Sequence, residues 1–186
     1  MNKIVADVLA LGEGLAGMTA ALTAAQAGSR VCIAGKGGSA SPFVIGFSAP
    51  VGEDDSPEQF VEDMMTAGCG LNDRELALAF ARRAMDIPQW MEALDAPYEN
   101  TDGKPELMRS LGHTRARLVH QGTKTGPLCM EKLVPLLEES KVQTLHPYAC
   151  MTLLKDGDRV NGAVLMNLET NGLIYVQCSA VVLCTG

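Results

Sequence analysis

The chain has 186 residues and a formal net charge of −7, and only 4% of its residues are aromatic. This length can bury one sizeable core, so we expect a single domain. The acidic balance and the scarcity of aromatic side chains, which stack on bases, argue against a nucleic acid partner. No apolar stretch approaches the ~20 residues that span a bilayer, so we expect no transmembrane segment.

The cysteines bear on metal binding and on the cellular compartment. The six of them include no C-x-x-C pair, which argues against zinc, an iron–sulfur cluster or an attached haem. Several lie in apolar, strand-like runs, where a reduced thiol packs as a small hydrophobe. The first apolar run breaks at Gly12, too early for a signal peptide. We therefore expect a cytoplasmic protein that binds no metal.

The first informative stretch begins with four apolar residues, 8–11, which predict a short buried strand. The spacing G-x-G-x-x-G follows, formed by Gly12, Gly14 and Gly17. An Ala-rich helix over 18–27 and a second strand over 31–34 complete a βαβ unit. In such units the glycines allow a tight turn, close approach to a pyrophosphate, and close helix–strand packing. The helix N-terminus then faces the phosphates with free N–H groups.

The motif alone does not distinguish FAD from NAD. An acidic residue at the end of the second strand usually binds the ribose hydroxyls, but that position holds Gly35, followed by Lys36. Gly35 has no side chain that could contact the ribose, which disfavours an NAD-binding dehydrogenase. The small residues over 36–42 can approach a phosphate closely or form a plain surface linker.

The middle of the chain predicts helices and one cationic segment. Asp55 or Ser56 can cap a helix that starts at Pro57, and further helices are predicted over 72–85 and 128–140. The segment 107–126 gathers cationic and titratable side chains in an otherwise acidic chain: Arg109, His113, Arg115, Arg117, His120 and Lys124. These side chains can face a phosphate or carboxylate, or belong to an ordinary polar strand and loop.

The last third of the chain predicts strands. Strands over 148–154, 160–167 and 173–178, joined at turn signals, form a three-stranded antiparallel β-meander. The continuous apolar run 180–183 predicts a fully buried strand, and His146 is interpreted as an ordinary loop residue. The fold class is therefore α/β: a Rossmann-like FAD/NAD(P)-binding fold with a parallel sheet, helices and the meander.

The order of these segments resembles a known family. The segments that carry the resemblance are the turn over 7–17, the loop over 35–48, "DSPE" at 55–58 with "AGCGLND" at 67–73, "GHTR" at 112–115, "TG" at 125–126 and "LCTG" at 183–186. Together they resemble the N-terminal FAD-binding portion of the succinate dehydrogenase/fumarate reductase flavoprotein and L-aspartate oxidase family. The resemblance implies that residues 1–186 form an FAD-binding domain, and that the family's capping and catalytic segments are not among these residues.

The resemblance implies FAD and hydride transfer at the flavin to or from a small dicarboxylate. Ala40 aligns with the histidine of covalently flavinylated members, so non-covalent FAD is expected. His113 would contact a substrate carboxylate as the catalytic residue. Ser110 replaces the glutamate of aspartate oxidases, which weakens that specificity. The expected cofactor-binding residues are Gly12, Gly14, Leu15, Ala16, Gly17, Gly35, Lys36, Gly38, Ser39, Ser41, Gly46, Ala149, Cys184, Thr185 and Gly186.

Two functions follow from these expectations. The first is the FAD-binding portion of a flavin-dependent oxidoreductase acting on fumarate, succinate or a similar dicarboxylate, with an electron-transfer subunit as a possible partner. The second is a truncated, non-catalytic FAD- or nucleotide-binding module that needs a complementing chain.

Overall fold

A computed structural model describes residues 2–186 of the chain. These residues form two compact units, one from residues 2–42 and 130–186 and the other from 43–129. The strands are, in chain order, β1 (Asn2–Val5), β2 (Val8–Leu11), β3 (Val31–Ala34), β4 (Gly46–Ser48), β5 (Asn100–Thr101), β6 (Lys104–Pro105), β7 (Leu107–Met108), β8 (Leu118–His120), β9 (Gln143–Leu145), β10 (Tyr148–Asp156), β11 (Arg159–Asn167), β12 (Leu173–Gln177) and β13 (Ala180–Leu183).

The helices are α1 (Leu15–Gln26), α2 (Pro57–Ala67), α3 (Arg74–Ala84), α4 (Ile87–Ala93) and α5 (Thr125–Glu139), with a 3₁₀ turn over Ser41–Phe43. Among residues 2–186, no helix combines the length and the apolar character that crossing a membrane requires. The predicted α/β fold with a Rossmann-like βαβ unit is confirmed, whereas the single domain over 1–186 stays a prediction.

The first unit contains a four-stranded sheet in the order β13-β2-β3-β9. All three of its strand pairs are parallel, and α1 contacts β2, β3 and β13. Because parallel strands point the same way, the residues that follow β2, β3, β9 and β13 all meet at one edge of the sheet. This edge positions the candidate site.

The second sheet of the first unit has the order β1-β12-β11-β10. Strands β10, β11 and β12 pair antiparallel, which confirms the predicted meander, and β1 adds a parallel edge strand that was not predicted. Side chains from the two sheets share one core, in which Leu9 and Cys32 from the first sheet pack with Leu165 and Val176 from the second. Burial raises the pKa of the Cys32 thiol to about 12, with a smaller contribution from Cys178.

The prediction that 180–183 is a fully buried strand is wrong. β13 lies at the edge of the parallel sheet, and Leu183 is 63% exposed. A continuous apolar run predicts burial on both faces, but among residues 2–186 only one strand, β2, pairs with β13.

The second unit packs helices around a small core. Ser56 caps α2 by accepting a hydrogen bond from Gln59 N–H, with Pro57 in the first turn, and Asp73 caps α3 in the same way. Phe60 and Val61 of α2 are buried against Ala81 and its neighbours in α3. The unit also holds a three-stranded sheet in the order β4-β8-β7 and the hairpin β5-β6.

Candidate functional site

A cavity of about 530 Å³ opens in the first unit. It lies where the turn after β2, the loop after β3, the start of β10 and the residues after β13 come together at the carboxyl edge of the parallel sheet. Ligands of open α/β sheets bind at this edge. The cavity brings together twelve of the residues predicted to bind a cofactor: Gly12, Gly14, Ala16, Gly35, Lys36, Gly38, Ser39, Ser41, Ala149, Cys184, Thr185 and Gly186.

The glycines of the turn are required by close contacts. Gly12 has a φ of +122°, and a Cβ there would lie 2.0 Å from the carbonyl oxygen of Cys184. A Cβ on Gly17 would lie 1.8 Å from the carbonyl oxygen of Gly12. The first and third glycines therefore let α1 and the residues after β13 close around the turn, as the motif predicts.

The N-terminus of α1 opens into this cavity without a side-chain cap. Its N-cap residue is Gly14. Glycine has no side-chain oxygen that would compete with a phosphate for the helix N–H groups. The Leu15 N–H instead donates to Ser41 Oγ at 2.9 Å. The Ser41 hydroxyl accepts this bond and keeps its own proton to donate to a phosphate oxygen.

Three predicted cofactor-binding residues do not line the cavity. Leu15 and Gly17 are buried in the first turn of α1, where they pack rather than face the open space. Gly46 belongs to the second unit, and a Cβ on it would lie 2.7 Å from both Leu118 Cγ and the Val119 carbonyl oxygen. The pairing of β4 with β8 is enough to explain this glycine.

Two side chains that the sequence did not single out as binding residues meet at the cavity. Glu13 lines it, and His146 Nδ1 lies 2.6 Å from Glu13 Oε1 and 2.9 Å from Oε2. The interpretation of His146 as an ordinary loop residue therefore misses this contact. His146 follows β9, whose parallel pairing with β3 sets it at this edge. No sequence signal reveals which strand lies beside β3.

The cavity fits the adenosine diphosphate half of a dinucleotide. Its volume falls in the usual range of small-molecule sites, about 300–1,000 Å³. A Cβ on Gly14 would lie 2.9 Å from Ser41 Oγ and 3.5 Å from Ser39 Cβ, so glycine keeps open the space between the helix N-terminus and the serine loop. Ala40, which also lines the cavity, offers no nucleophile for a covalent flavin.

The second unit is built around a buried arginine. Arg117 is fully buried and makes a bidentate pair with Asp55, with Nε–Oδ2 at 2.7 Å and Nη2–Oδ1 at 2.8 Å. Its Nη1 also donates to Asp63 Oδ2 at 2.5 Å, and its guanidinium lies 4.7 Å from the centre of the Phe60 ring. Of the two alternatives for the cationic segment, a contact with a ligand anion therefore does not describe Arg117, since protein carboxylates accept from its donors.

Two further arginines of the cationic segment also contact protein groups. Arg109 Nε donates to the His113 carbonyl oxygen at 2.8 Å, and Arg115 pairs with Asp54. For these side chains the alternative of an ordinary polar strand and loop is the better description. Their common charge indicated a shared ligand only because the sequence does not show which protein groups they contact.

His113 is held as a neutral imidazole. Its Nδ1 lies 3.2 Å from Arg117 Nη1, and because the guanidinium can only donate, Nδ1 accepts. Burial lowers the pKa of His113, and the nearby Arg117 charge lowers it further. The ring also packs against Phe60, with centroids 5.7 Å apart. The proton therefore resides on Nε2, which makes His113 a hydrogen-bond donor rather than the cation suggested by the charge pattern.

Comparisons with known proteins give the cofactor. The FAD binding domain family matches residues 7–186. L-aspartate oxidase of Streptomyces coelicolor is 33% identical over 98% of this chain and 33% of its own length. A probable fumarate reductase of Shewanella frigidimarina is 32% identical over 97% of this chain and 32% of its own length.

Solved structures agree with the sequence relatives. The Mycobacterium smegmatis Sdh1 complex in the apo form aligns with a TM-score of 0.90 at 28% identity, over 100% of this chain and 35% of that one. Escherichia coli quinol fumarate reductase aligns with a TM-score of 0.90 at 25% identity, over 100% of this chain and 33% of that one. This chain thus spans about a third of the length of its relatives. It belongs to the FAD binding domain family, as an FAD-binding domain of the succinate dehydrogenase, fumarate reductase and L-aspartate oxidase flavoproteins.

Proposed function

We propose that this chain is the FAD-holding portion of a flavin-dependent oxidoreductase that acts on a small dicarboxylate such as fumarate or succinate. Relatives named as a probable fumarate reductase and a quinol fumarate reductase support the substrate class. Relatives named as L-aspartate oxidase keep an amino dicarboxylate within that class. The redox chemistry, hydride transfer at the flavin, would come from FAD when it is bound.

The observation that carries the proposal is the glycine-lined cavity at the N-terminus of α1. The backbone of Gly12 and Gly14 would lie against the pyrophosphate, and the Ser39 and Ser41 hydroxyls would donate to its oxygens. The remaining predicted cavity residues would line the path of the cofactor, among them Lys36, Ala149 and Thr185. Because Ala40 has no nucleophilic side chain, FAD would be held without a covalent bond.

His113 completes the proposal on the substrate side. A neutral imidazole with its proton on Nε2 can donate one hydrogen bond to a substrate carboxylate. Arg117 keeps the ring in this tautomer from the opposite side, through the 3.2 Å contact to Nδ1. The proposal therefore gives His113 the role of orienting substrate, by hydrogen bonding instead of by charge.

A protein partner also belongs to the proposal. The Mycobacterium smegmatis neighbour is described as a complex. A flavin that a dicarboxylate has reduced needs an electron acceptor, and one that a dicarboxylate has oxidised needs an electron donor. We include an electron-transfer or complementing subunit for this reason. Co-purification of a second chain would support this part.

The test of cofactor binding is a fluorescence titration of the purified protein with FAD, with NADH as the competing dinucleotide. We expect FAD to bind tightly and NADH weakly. After acid precipitation the flavin colour should appear in the supernatant, because the attachment is non-covalent. Flavin that stays with the precipitate would contradict the non-covalent assignment, and a protein that takes up NADH but no FAD would overturn the proposed function.

A further inference from the structure

The side chain of Glu13 occupies the space that a side chain at position 35 would fill. A Cβ built on Gly35 would lie 1.9 Å from Glu13 Cγ, 2.3 Å from Cδ and 2.6 Å from Oε1. The carboxyl carbon of a glutamate lies about 2.5 Å from its own Cβ, across two carbon–carbon bonds. The carboxyl carbon of Glu13 therefore lies about as close to the Cβ position of residue 35 as the carboxyl carbon of a glutamate at position 35 would lie.

Position 35 is the one where dinucleotide-binding folds usually carry the carboxylate that binds ribose. It comes at the end of β3, directly after Ala34, and the Gly35 N–H donates to the Leu145 carbonyl oxygen. Gly35 itself is buried. A carboxylate side chain at position 35 would have to displace Glu13. The space therefore accommodates one acidic side chain, from position 13 or from position 35.

His146 holds the Glu13 carboxylate in this place. Its Nδ1 lies within hydrogen-bond distance of both carboxylate oxygens, at 2.6 and 2.9 Å. An ionised carboxylate has about four acceptor positions, so each oxygen can still accept from another donor. The Glu13 side chain remains 19% exposed and lines the cavity, where such a donor can reach it.

This placement also explains how a glutamate is tolerated inside the phosphate-binding turn. A carboxylate between Gly12 and Gly14 would repel a pyrophosphate if it pointed along the helix axis. The contact with His146 instead directs Glu13 towards the ends of β3 and β9. The negative charge is thereby turned away from the N-terminus of α1.

We propose that Glu13, oriented by His146, binds the ribose hydroxyls of the cofactor's adenosine half and replaces the acidic side chain that position 35 lacks. This inference rests on the proposed function. Two hydroxyls donating to one carboxylate give charge-assisted hydrogen bonds, which are stronger than neutral ones. Glu13 is then a specificity-determining residue for ribose, and His146 is a positioning residue.

The test compares ADP with 2′-deoxy-ADP and 3′-deoxy-ADP by calorimetric titration of the purified protein. The wild type should bind ADP about tenfold or more tightly than at least one deoxy analogue. In Glu13→Ala the ratio of the two affinities should fall towards one. The variant has no carboxylate to accept from the ribose hydroxyl, so removing that hydroxyl costs the ligand no hydrogen bond. Glu13→Gln, which conserves shape, should reduce the ratio partly, and His146→Ala should reduce it less than Glu13→Ala.

A swap variant makes the test sharper. Gly35→Glu alone should weaken ADP binding, because its side chain collides with Glu13, whereas the double variant Glu13→Ala with Gly35→Glu should regain the preference for ADP. Glu139→Ala, an exposed position on α5, is the matched control. An unchanged ratio in both Glu13→Ala and Glu13→Gln would overturn the inference alone. Failure of the wild type to bind either ADP or FAD would overturn the proposed function together with it.

Discussion

Gly14 shows how one residue combines conformation and space. Its backbone is extended, with φ −79° and ψ 179°, so the conformation itself accepts any residue. The space does not, since a Cβ would lie 2.9 Å from Ser41 Oγ. At Gly12 the backbone conformation itself requires glycine, because a φ of +122° disfavours any residue with a side chain. The motif therefore uses glycine for two separate physical reasons.

Replacing Gly14 by valine should obstruct the phosphate site at the N-terminus of α1 without unfolding the protein. The added isopropyl group would fill the space between the N-terminus of α1 and the serine loop, and we expect FAD affinity to fall about tenfold or more. Fluorescence titration measures the loss, with Gly172→Ala in the β11–β12 turn as the control. FAD affinity equal to that of the wild type in Gly14→Val would refute the assignment of the phosphate site.

The packing of α2 against the segment before β8 depends on charged groups. Arg117 precedes β8, Asp55 precedes α2 and Asp63 lies within α2, and their contacts join these elements. The Asp63 carboxylate also accepts from the Thr114 N–H at 2.8 Å. Removing one partner of such a buried network leaves an uncompensated charge, which costs more than the net gain from the pair. The same network fixes the tautomer of His113.

Acid should weaken the second unit through Asp63. Burial alone would raise the pKa of Asp63, but the hydrogen bonds from Thr114 and Arg117 outweigh it and lower the pKa below its ordinary value. A depressed folded-state pKa adds stability above about pH 4, the unfolded value, which is lost as pH falls through the folded-state pKa. Asp63→Asn should therefore unfold more easily at pH 7, by about 2 kcal/mol, and lose less on acidification.

Urea unfolding at pH 7 and pH 3 measures this difference. Asp54→Asn is the control, because the Asp54 side chain is 81% exposed and should change neither the stability nor its pH dependence by much. Parallel pH profiles for the wild type and Asp63→Asn would show that Asp63 does not carry the acid sensitivity.

At the scale of the whole molecule, cofactor and fold are coupled. The cavity is formed by segments far apart in the sequence, from the turn after β2 to Gly186. A ligand that binds these segments only when they are folded together stabilises the native state by mass action. FAD is therefore expected to act as part of the structure of the first unit as well as its redox group.

Saturating FAD should raise the melting temperature. At a concentration of about 100 times Kd, binding adds about 2.7 kcal/mol, which corresponds to about 5–10 °C for a chain of this size. Differential scanning fluorimetry or calorimetry measures the shift, and Gly14→Val should show about half of it or less at the same FAD concentration, because its affinity is about tenfold or more lower. A melting temperature that FAD leaves unchanged in the wild type would contradict the coupling.

The sequence alone determined the elements that depend on local physics. The glycine spacing, the Ala-rich helix, a helix cap just before Pro57 and the hairpin turns each follow from backbone sterics or short-range hydrogen bonds, so the βαβ unit and the meander were predictable. The order of these segments also identified the family, and with it FAD.

Only the tertiary structure decided which distant groups meet. The parallel pairing of β9 with β3 places His146 on Glu13, and the approach of α2 gives Arg117 two carboxylate partners. The exposure of β13 likewise depends on its place in the strand order. Strand order and ion pairing across long sequence separations leave no local pattern, because the energy that selects them arises only when the chain is folded.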